Sequence, residues 1–330
     1  MSRDNSRFFA LYERERIKIE ERLSNALKNR EPHSLYKPAA YVLKSGGKRL
    51  RPLLVLFSAK ASGGKFSKAY NAAVAVELLH NFTLVHDDIM DNADKRRGRL
   101  TLHKKYDLST AILAGDSLLS VAYEYLIKDS GDHLKEMLDS FTHGLVEVCE
   151  GQSMDKDFEL LNEVSIQQYM IMIEKKTAAM AEMCCIIGAN IAGASMQEIK
   201  AMAAFGKNIG IAFQIQDDLL DISGNESELG KFVGGDLVEG KKTYLFLKAL
   251  EKSRGKDKKE FLGIIENKGI KHNEIPKFQA LYCKLGVLED AREEIIMYSN
   301  RALSKLKYLK RQEDRDLFKW LTDSLIKRNR

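Results

Sequence analysis

Two short acidic runs have the residue types and the spacing to bind a metal ion. Asp87–Asp91 (DDIMD) closes the apolar stretch LLHNFTLVHDDIMD, and Asp217–Asp221 (DDLLD) closes FQIQDDLLD. On a helix, the first and last aspartates of each run lie on one face, with Cβ atoms about 5–6 Å apart. Such a like-charge pair is mildly destabilising, and the C-terminal end of a helix disfavours anions. A bound cation would relieve both effects, and carboxylate oxygens match Mg²⁺.

The competing interpretation of either run is a solvated acidic helix end. Two such runs, each preceded by an apolar helix, favour the metal site over that interpretation. A calcium loop of the EF-hand type does not fit, because the alternating ligands and the central glycine are missing. The sequence contains neither a Walker lysine motif nor a dinucleotide-binding glycine fingerprint.

Basic residues recur near the acidic runs and in the later helices. Any one of them could be an ordinary surface charge, but together they predict charge pairs with diphosphate oxygens, which arginine grips with two prongs. They are Lys48, Arg49 and Arg51 in the turn GGKRLRP, Arg96 and Arg97 before Gly98, Lys175 and Lys176 before Thr177, and Lys231 and Lys241 on either side of GGD.

The elements that must position these residues are long helices. The chain has only four prolines, and alternating strand patterns with hairpin turns are absent. We therefore predict an all-α fold, with residues 1–330 as a single domain, and a surface loop at the lysine-rich stretch 252–259. Periodic apolar residues predict helices at 8–30, 36–45, 51–62, 67–92, 107–128, 132–153, 165–192, 196–222, 241–252, 257–267, 273–284, 286–309 and 313–327.

The bulk composition is that of a soluble globular protein. In 330 residues, 44% are hydrophobic and 30% charged, and the net charge of +6 suits an anionic substrate without requiring nucleic acid. The four cysteines lack metal-ligand spacing and are interpreted as reduced thiols, with Cys184 and Cys185 packed inside. MSRDNSRFF lacks the apolar core of a secretory signal, and the uncharged stretch 183–196 is too short to span a bilayer. These features predict a cytoplasmic protein without stable membrane insertion.

In their order, these motifs resemble the trans-isoprenyl diphosphate synthases. The resemblance runs from GGKRLRP to GKFVGGDLVEGKKT, and HNFTLVHDDIMD looks most like the archaeal geranylgeranyl diphosphate synthases. It implies an all-α bundle around a deep central cavity, with the two aspartate motifs facing each other, and usually a homodimer. It also implies Mg²⁺ as cofactor, about three ions per active site when diphosphate is bound.

The resemblance assigns roles to individual residues of this chain. It implies Asp87, Asp91 and Asp217 as metal ligands, with Asp88 and Asp218 completing the catalytic motifs. The isopentenyl diphosphate site would comprise Lys48, Arg51, His80 and Arg97. The allylic diphosphate site would comprise Arg96, Lys176, Thr177, Gln214, Lys231 and Lys241, while Gln152 and Asp155 of GQSMD would line the cavity and the basic tail Arg328–Arg330 would close over it.

Two details qualify this assignment. His80 lies seven residues before Asp87, two helical turns back on nearly the same face, which favours a functional over a structural role; His86 has no such match. Members of the resembling family often have proline after RRG, at the place of Leu100 here. That difference affects the loop after the first motif and not a ligand.

The residues before the first motif bear on product length. In the resembling family, an aromatic residue five positions before the motif, here Phe82, with a small one after it, here Thr83, goes with a twenty-carbon product. The two-residue insertion of short-chain bacterial enzymes is absent between Asp88 and Asp91. The growing chain is predicted to stop against Phe82, with Leu79 and Val76 continuing deeper along the helix.

The predicted reaction is the head-to-tail addition of isopentenyl diphosphate to an allylic diphosphate: dimethylallyl, geranyl or farnesyl. The carbon–oxygen bond breaks, the allylic cation meets the double bond, and a proton is lost. Alternatives are a farnesyl or longer-chain polyprenyl diphosphate synthase, a class I terpene cyclase and a non-catalytic synthase subunit. The basic residues around GGKRLRP argue against a cyclase, and the six intact motif aspartates argue against a non-catalytic subunit.

Overall fold

The computed structural model describes residues 3–128, 131–224 and 233–326. Helices account for nearly all of these residues, so the predicted all-α class is confirmed. The helices are α1 Arg3–Ala26, α2 His33–Leu43, α3 Leu50–Ala61, α4 Tyr70–Met90, α5 Leu102–Lys105, α6 Leu108–Lys128, α7 Leu134–Leu160, α8 Ile166–Ile173, α9 Ala179–Ile191, α10 Met196–Ser223, α11 Gly235–Val238, α12 Tyr244–Lys252, α13 Gly255–Asn267, α14 Ile275–Lys284, α15 Val287–Lys305 and α16 Gln312–Ile326.

A small hairpin that the sequence did not predict follows the first acidic run. Strands β1 (Lys95–Arg96) and β2 (Arg99–Leu100) pair antiparallel, with Arg96 opposite Arg99. Its two turn residues, Arg97 and Gly98, both have positive φ, at 51° and 74°. This is the backbone conformation of a tight two-residue hairpin turn, which matches the twist of the strands it joins.

The lysine-rich stretch 252–259 is not the loop that the sequence predicted. Helix α12 ends at Lys252 and α13 begins at Gly255, so only Ser253 and Arg254 lie between two helices. Ser253 is fully buried in extended backbone. Lys252 ends α12, and Lys256, Lys258 and Lys259 lie in the solvated first turns of α13, a pattern that charge alone does not distinguish from a loop.

The described residues form two compact units, each assembled from three stretches of chain. Unit 1 comprises Met1–Phe141, Met183–Met202 and Lys307–Trp320. Helix α4 is its centre and packs chiefly against α6, and also against α3. Because most of its side chains between Ala72 and Leu79 are fully buried, α4 is apolar nearly all round, as expected of a helix inside a core.

Unit 2 comprises Thr142–Glu182, Ala203–Leu306 and Leu321–Arg330. Its core is rich in aromatic side chains, among them Phe246, Phe278 and Tyr282, which surround Phe261 with ring centroids 5.6–6.2 Å away. The structure divides into two compact units, and the single domain stays a prediction. In the part of the chain that the structure describes, no helix is both long and apolar enough to cross a bilayer.

Candidate active site

The first acidic run lies where α4 ends, as the sequence predicted. Asp91 is the C-cap residue of the helix, and its backbone N–H donates to the carbonyl of Asp87 at 2.9 Å. Asp87 is partly exposed and Asp91 is exposed, whereas Asp88 is only 6% exposed. Water and ligands can therefore reach the two aspartates that share a face, and the one between them is turned inward.

Asp88 is held by a residue that the sequence analysis assigned to the allylic diphosphate. The Arg96 Nε donates to Asp88 Oδ1 at 2.7 Å, from the hairpin that follows the acidic run. Burial raises the pKa of Asp88, and the Arg96 guanidinium opposes that shift. In this structure Arg96 therefore fixes the hairpin against the end of α4 through Asp88.

Two residues predicted for the isopentenyl diphosphate site are in contact. The Arg51 Nη1 lies 3.2 Å from His80 Nε2, and His80 lies on α4, two turns before Asp87. Burial, together with the positive charges of Arg51 and Arg97, lowers the pKa of His80 well below its ordinary value. The imidazole is therefore neutral near pH 7, so its Nε2 can accept a hydrogen bond from the guanidinium.

The remaining members of this basic group meet at the glycine turn. The Arg97 guanidinium donates to the carbonyl of Gly46. Gly47 has φ +142°, and a Cβ there would lie 2.8 Å from Arg97 Nη1. Another residue at this φ would be strained, and its Cβ would displace the Arg97 guanidinium. Lys48 follows on the exposed side of the turn. The structure thus brings Arg51, His80 and Arg97 close together, with Lys48 in the adjoining turn, and we call these four residues the basic pocket.

Arg49, the middle cation of the turn, does not face this pocket. Its side chain is 1% exposed and is paired with Glu20 of α1 and Glu77 of α4. The sequence analysis counted it among the charges for diphosphate oxygens, and that interpretation is wrong for Arg49. Lys48 and Arg51 differ from Arg49 in burial: Lys48 is exposed and Arg51 is partly exposed, whereas Arg49 points into the core.

The second acidic run, on α10 in unit 2, is also centred on an inward-pointing aspartate. Asp218 is 5% exposed and accepts three hydrogen bonds. Its donors are the Tyr169 hydroxyl at 2.6 Å, the Tyr244 backbone N–H at 3.0 Å and the Gln214 Nε2 at 3.0 Å. Burial raises the pKa of Asp218 to about 6, although these donors favour the carboxylate. Tyr169 and Tyr244 lie outside every motif that the sequence analysis used.

The other two aspartates of this run differ in exposure. Asp217 is partly exposed, and Asp221 is 1% exposed. Asp221 Oδ2 accepts the backbone N–H of Asp236 at 3.0 Å, which ties the end of α10 to α11. In both acidic runs, then, the first aspartate is accessible and the second is buried and hydrogen-bonded. Asp87, Asp91 and Asp217 as metal ligands stay a prediction; all three are reached by solvent.

Lys176 and Thr177 lie in a π-helical turn, Glu174–Ala178, between α8 and α9. Such turns are frequent at functional sites. Lys176 pairs with Asp155 of α7, and Thr177 Oγ1 donates to Gln214 Oε1 at 2.9 Å. A Cβ on Gly151 of α7 would lie 2.2 Å from the Lys176 nitrogen, so a glycine is needed there.

Gln152, the neighbour of that glycine, is 8% exposed, and neither its amide nitrogen nor its amide oxygen has a partner among the described residues. A buried amide without partners costs free energy, so its presence favours a ligand-binding role. Lys241 Nζ lies 2.6 Å from Glu239 Oε2 and 3.9 Å from Asp236 Oδ1. Lys231 and the tail Arg328–Arg330 lie outside the described residues.

The residues predicted to set product length divide into two pairs. Leu79 and Val76 are fully buried, whereas Phe82 and Thr83 are partly exposed. The Phe82 ring packs against His86 with centroids 4.6 Å apart. Thr83 donates to the carbonyl of His80 at 2.8 Å. Phe82 is therefore the accessible aromatic residue of the four, and His86 supports its ring.

The sequence analysis missed several residues that hold these groups in place. Glu20, Glu77 and Tyr169 carry no motif signal, because each acts on a partner at least 28 residues away. His103 was also missed, for a different reason. Both of its ring nitrogens are buried without a partner in the described part of the chain. Its only sequence signal is its place shortly after Arg96-Arg97-Gly98.

Comparisons with known proteins identify the family of this chain. The polyprenyl synthetase model matches residues 32–282. A geranylgeranyl pyrophosphate synthase of Geoglobus acetivorans is 38% identical over 94% of this chain and 96% of its own. A geranylgeranyl diphosphate synthase of Sulfolobus acidocaldarius is 44% identical over 73% of this chain and 74% of its own. A geranylfarnesyl diphosphate synthase of Natronomonas pharaonis is 36% identical over 97% of each chain.

Solved structures give the same result. Geranylgeranyl pyrophosphate synthetase from Pyrococcus horikoshii superposes with a TM-score of 0.90 at 35% identity, covering 97% of this chain and 98% of that one. A polyprenyl synthase from Caulobacter crescentus, complexed with calcium and isoprenyl diphosphate, has a TM-score of 0.89 at 26% identity, covering 98% and 97%. This chain belongs to the polyprenyl synthetase family and is a prenyltransferase.

Proposed function

We propose that the protein condenses isopentenyl diphosphate with allylic diphosphates, head to tail, and releases geranylgeranyl diphosphate. The observation that supports this most is the basic pocket in unit 1. It lies around α4, the helix that ends in Asp87 and Asp91, and its Arg51–His80 contact and Arg97–Gly46 hydrogen bond preorganise cations for an anionic ligand. A terpene cyclase takes only one diphosphate and has no use for a basic pocket that binds a second one.

In this proposal the basic pocket holds isopentenyl diphosphate. Lys48 and Arg51 bind its oxygens, with Arg51 offering a planar fork and Lys48 a mobile point charge. Neutral His80 orients the Arg51 guanidinium, and Arg97 adds a further cation. Holding the diphosphate end places the double bond of the substrate where it can meet the allylic cation, which removes much of the entropic cost of the encounter.

Asp87 and Asp91 fit a hard divalent cation. They lie at the C-terminal end of α4, where the helix dipole disfavours negative charge, and solvent reaches both. Mg²⁺ is usually bound through one or two carboxylates together with water and substrate phosphate oxygens. Over residues 3–128, 131–224 and 233–326, no group of three or more His, Cys, Asp or Glu side chains is arranged to hold a metal. When bound, Mg²⁺ would neutralise the charge that develops on the departing pyrophosphate.

In unit 2, Asp217 is the proposed metal ligand. The resemblance assigns the residues that would bind the allylic diphosphate. Thr177, Gln214 and Asp218 form a continuous hydrogen-bonded row, and Lys176 is held by Asp155. Lys241 belongs to the same proposed set, and the resemblance alone assigns Arg96 and Lys231 to the allylic substrate. Because no side chain stands out as a base, we propose that the released pyrophosphate accepts the proton of the condensation step.

Arg51→Ala is expected to weaken isopentenyl diphosphate binding selectively. Loss of one charge-assisted contact costs on the order of 1.5–3 kcal/mol, which is roughly a tenfold to hundredfold rise in KM. The KM for the allylic substrate should not change. Steady-state kinetics with each substrate varied in turn measures both values. A rise in the allylic KM alone would show that the two subsites are assigned the wrong way round.

Phe82→Ala is expected to lengthen the product beyond twenty carbons. Its ring lies about 7.5 Å along the helix axis from Asp87 and is partly exposed, so truncation would remove the floor against which the chain stops. Chromatography of the dephosphorylated products measures this. Phe66→Ala is a matched control, because Phe66 is also partly exposed and packs on another ring, that of Phe57. A twenty-carbon product from active Phe82→Ala enzyme would exclude this role.

A homodimer is proposed from the apolar surface at the start of α6. Leu108, Ile112 and Leu113 are 53%, 38% and 59% exposed, and Leu100 adjoins them in sequence at 46%. Clustered exposed apolar side chains mark interaction surfaces, and a second copy of this chain is the proposed partner. Light scattering should give twice the 37.4 kDa chain mass, and Leu113→Glu should lower it. A monomeric native protein would contradict the proposal.

A further inference from the structure

Arg49 is the most heavily constrained side chain of the glycine turn, although it does not face the basic pocket. Its Nε and Nη2 grip the two oxygens of Glu20 at 2.8 and 3.1 Å. Its Nη1 donates to Glu77 Oε1 at 2.6 Å, and its Nη2 also donates to the carbonyl of Leu43 at 2.8 Å. One guanidinium thus joins α1, the end of α2 and the middle of α4.

The backbone of Arg49 is as specific as its side chain. It has φ 50° and ψ 38°, the left-handed region, and serves as the N-cap of α3. A non-glycine residue in this region is uncommon and costs free energy, so the surrounding contacts must hold it there. With its side chain fixed by two carboxylates, Arg49 is held in this conformation where α3 begins. Lys48 precedes Arg49 on the exposed side of the turn, and Arg51 follows it, partly exposed, in the first turn of α3.

A second contact holds the turn from α1. The Tyr12 hydroxyl donates to the backbone carbonyl of Lys48, and the Tyr12 ring packs edge-on against Trp320 with centroids 6.0 Å apart. Glu20 and Tyr12 both belong to α1, two turns apart. Helix α1 also precedes the residues 32–282 that the family model matches. The turn is therefore held by a helix that lies N-terminal to the residues matched by the family model.

We propose that α1 positions the isopentenyl diphosphate site, through the Glu20–Arg49–Glu77 bridge and the Tyr12–Lys48 hydrogen bond. Arg49 is a positioning residue: it touches no substrate, and it acts through Lys48 and Arg51. The inference rests on the proposed assignment of those two residues to isopentenyl diphosphate. A shift of the turn by about 1 Å can cost a large factor in rate or affinity, so the bridge should control that substrate more than the other.

The test uses the full-length enzyme and the variant Glu20→Gln. The amide keeps the shape of the carboxylate but loses its charge, and Glu20 lies at the partly exposed edge of the bridge, where a change is tolerated best. The KM for isopentenyl diphosphate is expected to rise roughly tenfold, with the allylic KM unchanged. Tyr12→Phe, which keeps the ring on Trp320, should shift the same KM in the same direction by a smaller factor.

Glu15→Gln is the matched control. Glu15 lies on the same helix with a fully buried side chain, and it accepts hydrogen bonds from Tyr70 at 2.6 Å and Lys18 at 3.1 Å. These contacts lie away from the glycine turn. Glu15→Gln should lower the melting temperature and leave both KM values unchanged. Arg49→Lys should retain part of the isopentenyl diphosphate affinity that Arg49→Met loses.

Unchanged isopentenyl diphosphate KM in both Glu20→Gln and Tyr12→Phe would overturn the proposal, as would an equal rise in both KM values. Arg51→Ala in the same assay distinguishes a failure of the positioning role from a failure of the subsite assignment. If Arg51→Ala raises the isopentenyl diphosphate KM while the two α1 variants do not, the positioning role is refuted and the subsite stands. If none of the three changes that KM, both are refuted.

Discussion

Asp87→Ala is expected to lower the rate of condensation by about a hundredfold or more while leaving the fold intact. A metal ligand for the departing diphosphate is worth several kcal/mol of transition-state charge stabilisation. The side chain is partly exposed at the end of α4, so its removal leaves no cavity and relieves the repulsion from Asp91, about 0.2–0.5 kcal/mol. Single-turnover kinetics and thermal unfolding of the same preparation measure the two effects.

Asp139→Ala is the control for this variant. Asp139 is an exposed aspartate on α7, in unit 1 and outside both acidic runs, so its loss should affect neither rate nor stability. Wild-type turnover in Asp87→Ala would show that Asp87 is not a ligand. A large loss of stability would show that the aspartate has a structural role, which its exposure argues against.

Removal of divalent cations is expected to abolish turnover. In the proposed reaction the pyrophosphate leaves with its full charge, and the basic side chains alone do not replace several kcal/mol of metal stabilisation, so the rate should fall by at least about a hundredfold. Added Mg²⁺ should restore it. The measurement is isopentenyl diphosphate consumption by enzyme dialysed against a chelator, with and without excess Mg²⁺.

The melting temperature of the dialysed enzyme serves as the control. It should equal that of the untreated enzyme in the absence of diphosphate, since Asp87 and Asp91 alone provide only part of a metal site. Full turnover in excess chelator would refute the metal role of both acidic runs.

The sequence was sufficient to predict the long helices, but not the four-residue helices α5 and α11. Helix α4 illustrates this: a long, mostly apolar run followed by carboxylates and Asn92 predicts both the helix and its end, because apolar side chains belong in the core and carboxylates in solvent. His80 was predictable for the same reason, since helical periodicity relates it to Asp87. The product-length residues followed only from the resemblance, because helical angles do not determine where Phe82 points.

The sequence could not show which basic residues turn inward. Arg49 and Arg51 are two positions apart in one motif, yet one is paired with Glu20 and Glu77 and the other contacts His80. Burial of Arg49 depends on carboxylates 29 and 28 residues away, which no local pattern encodes. The π-helical turn at Lys176 is a similar case, because it depends on the close approach of Gly151.

The central claim is tested most directly by the purified full-length chain, supplied with Mg²⁺, isopentenyl diphosphate and one allylic primer at a time: dimethylallyl, geranyl or farnesyl diphosphate. The products are dephosphorylated and separated by chain length. We expect isopentenyl diphosphate to be consumed with each accepted primer and a linear twenty-carbon alcohol to dominate. A dominant fifteen- or twenty-five-carbon product would contradict the assigned product, and no consumption with any primer, or a cyclic hydrocarbon formed from an allylic diphosphate alone, would contradict the proposed reaction.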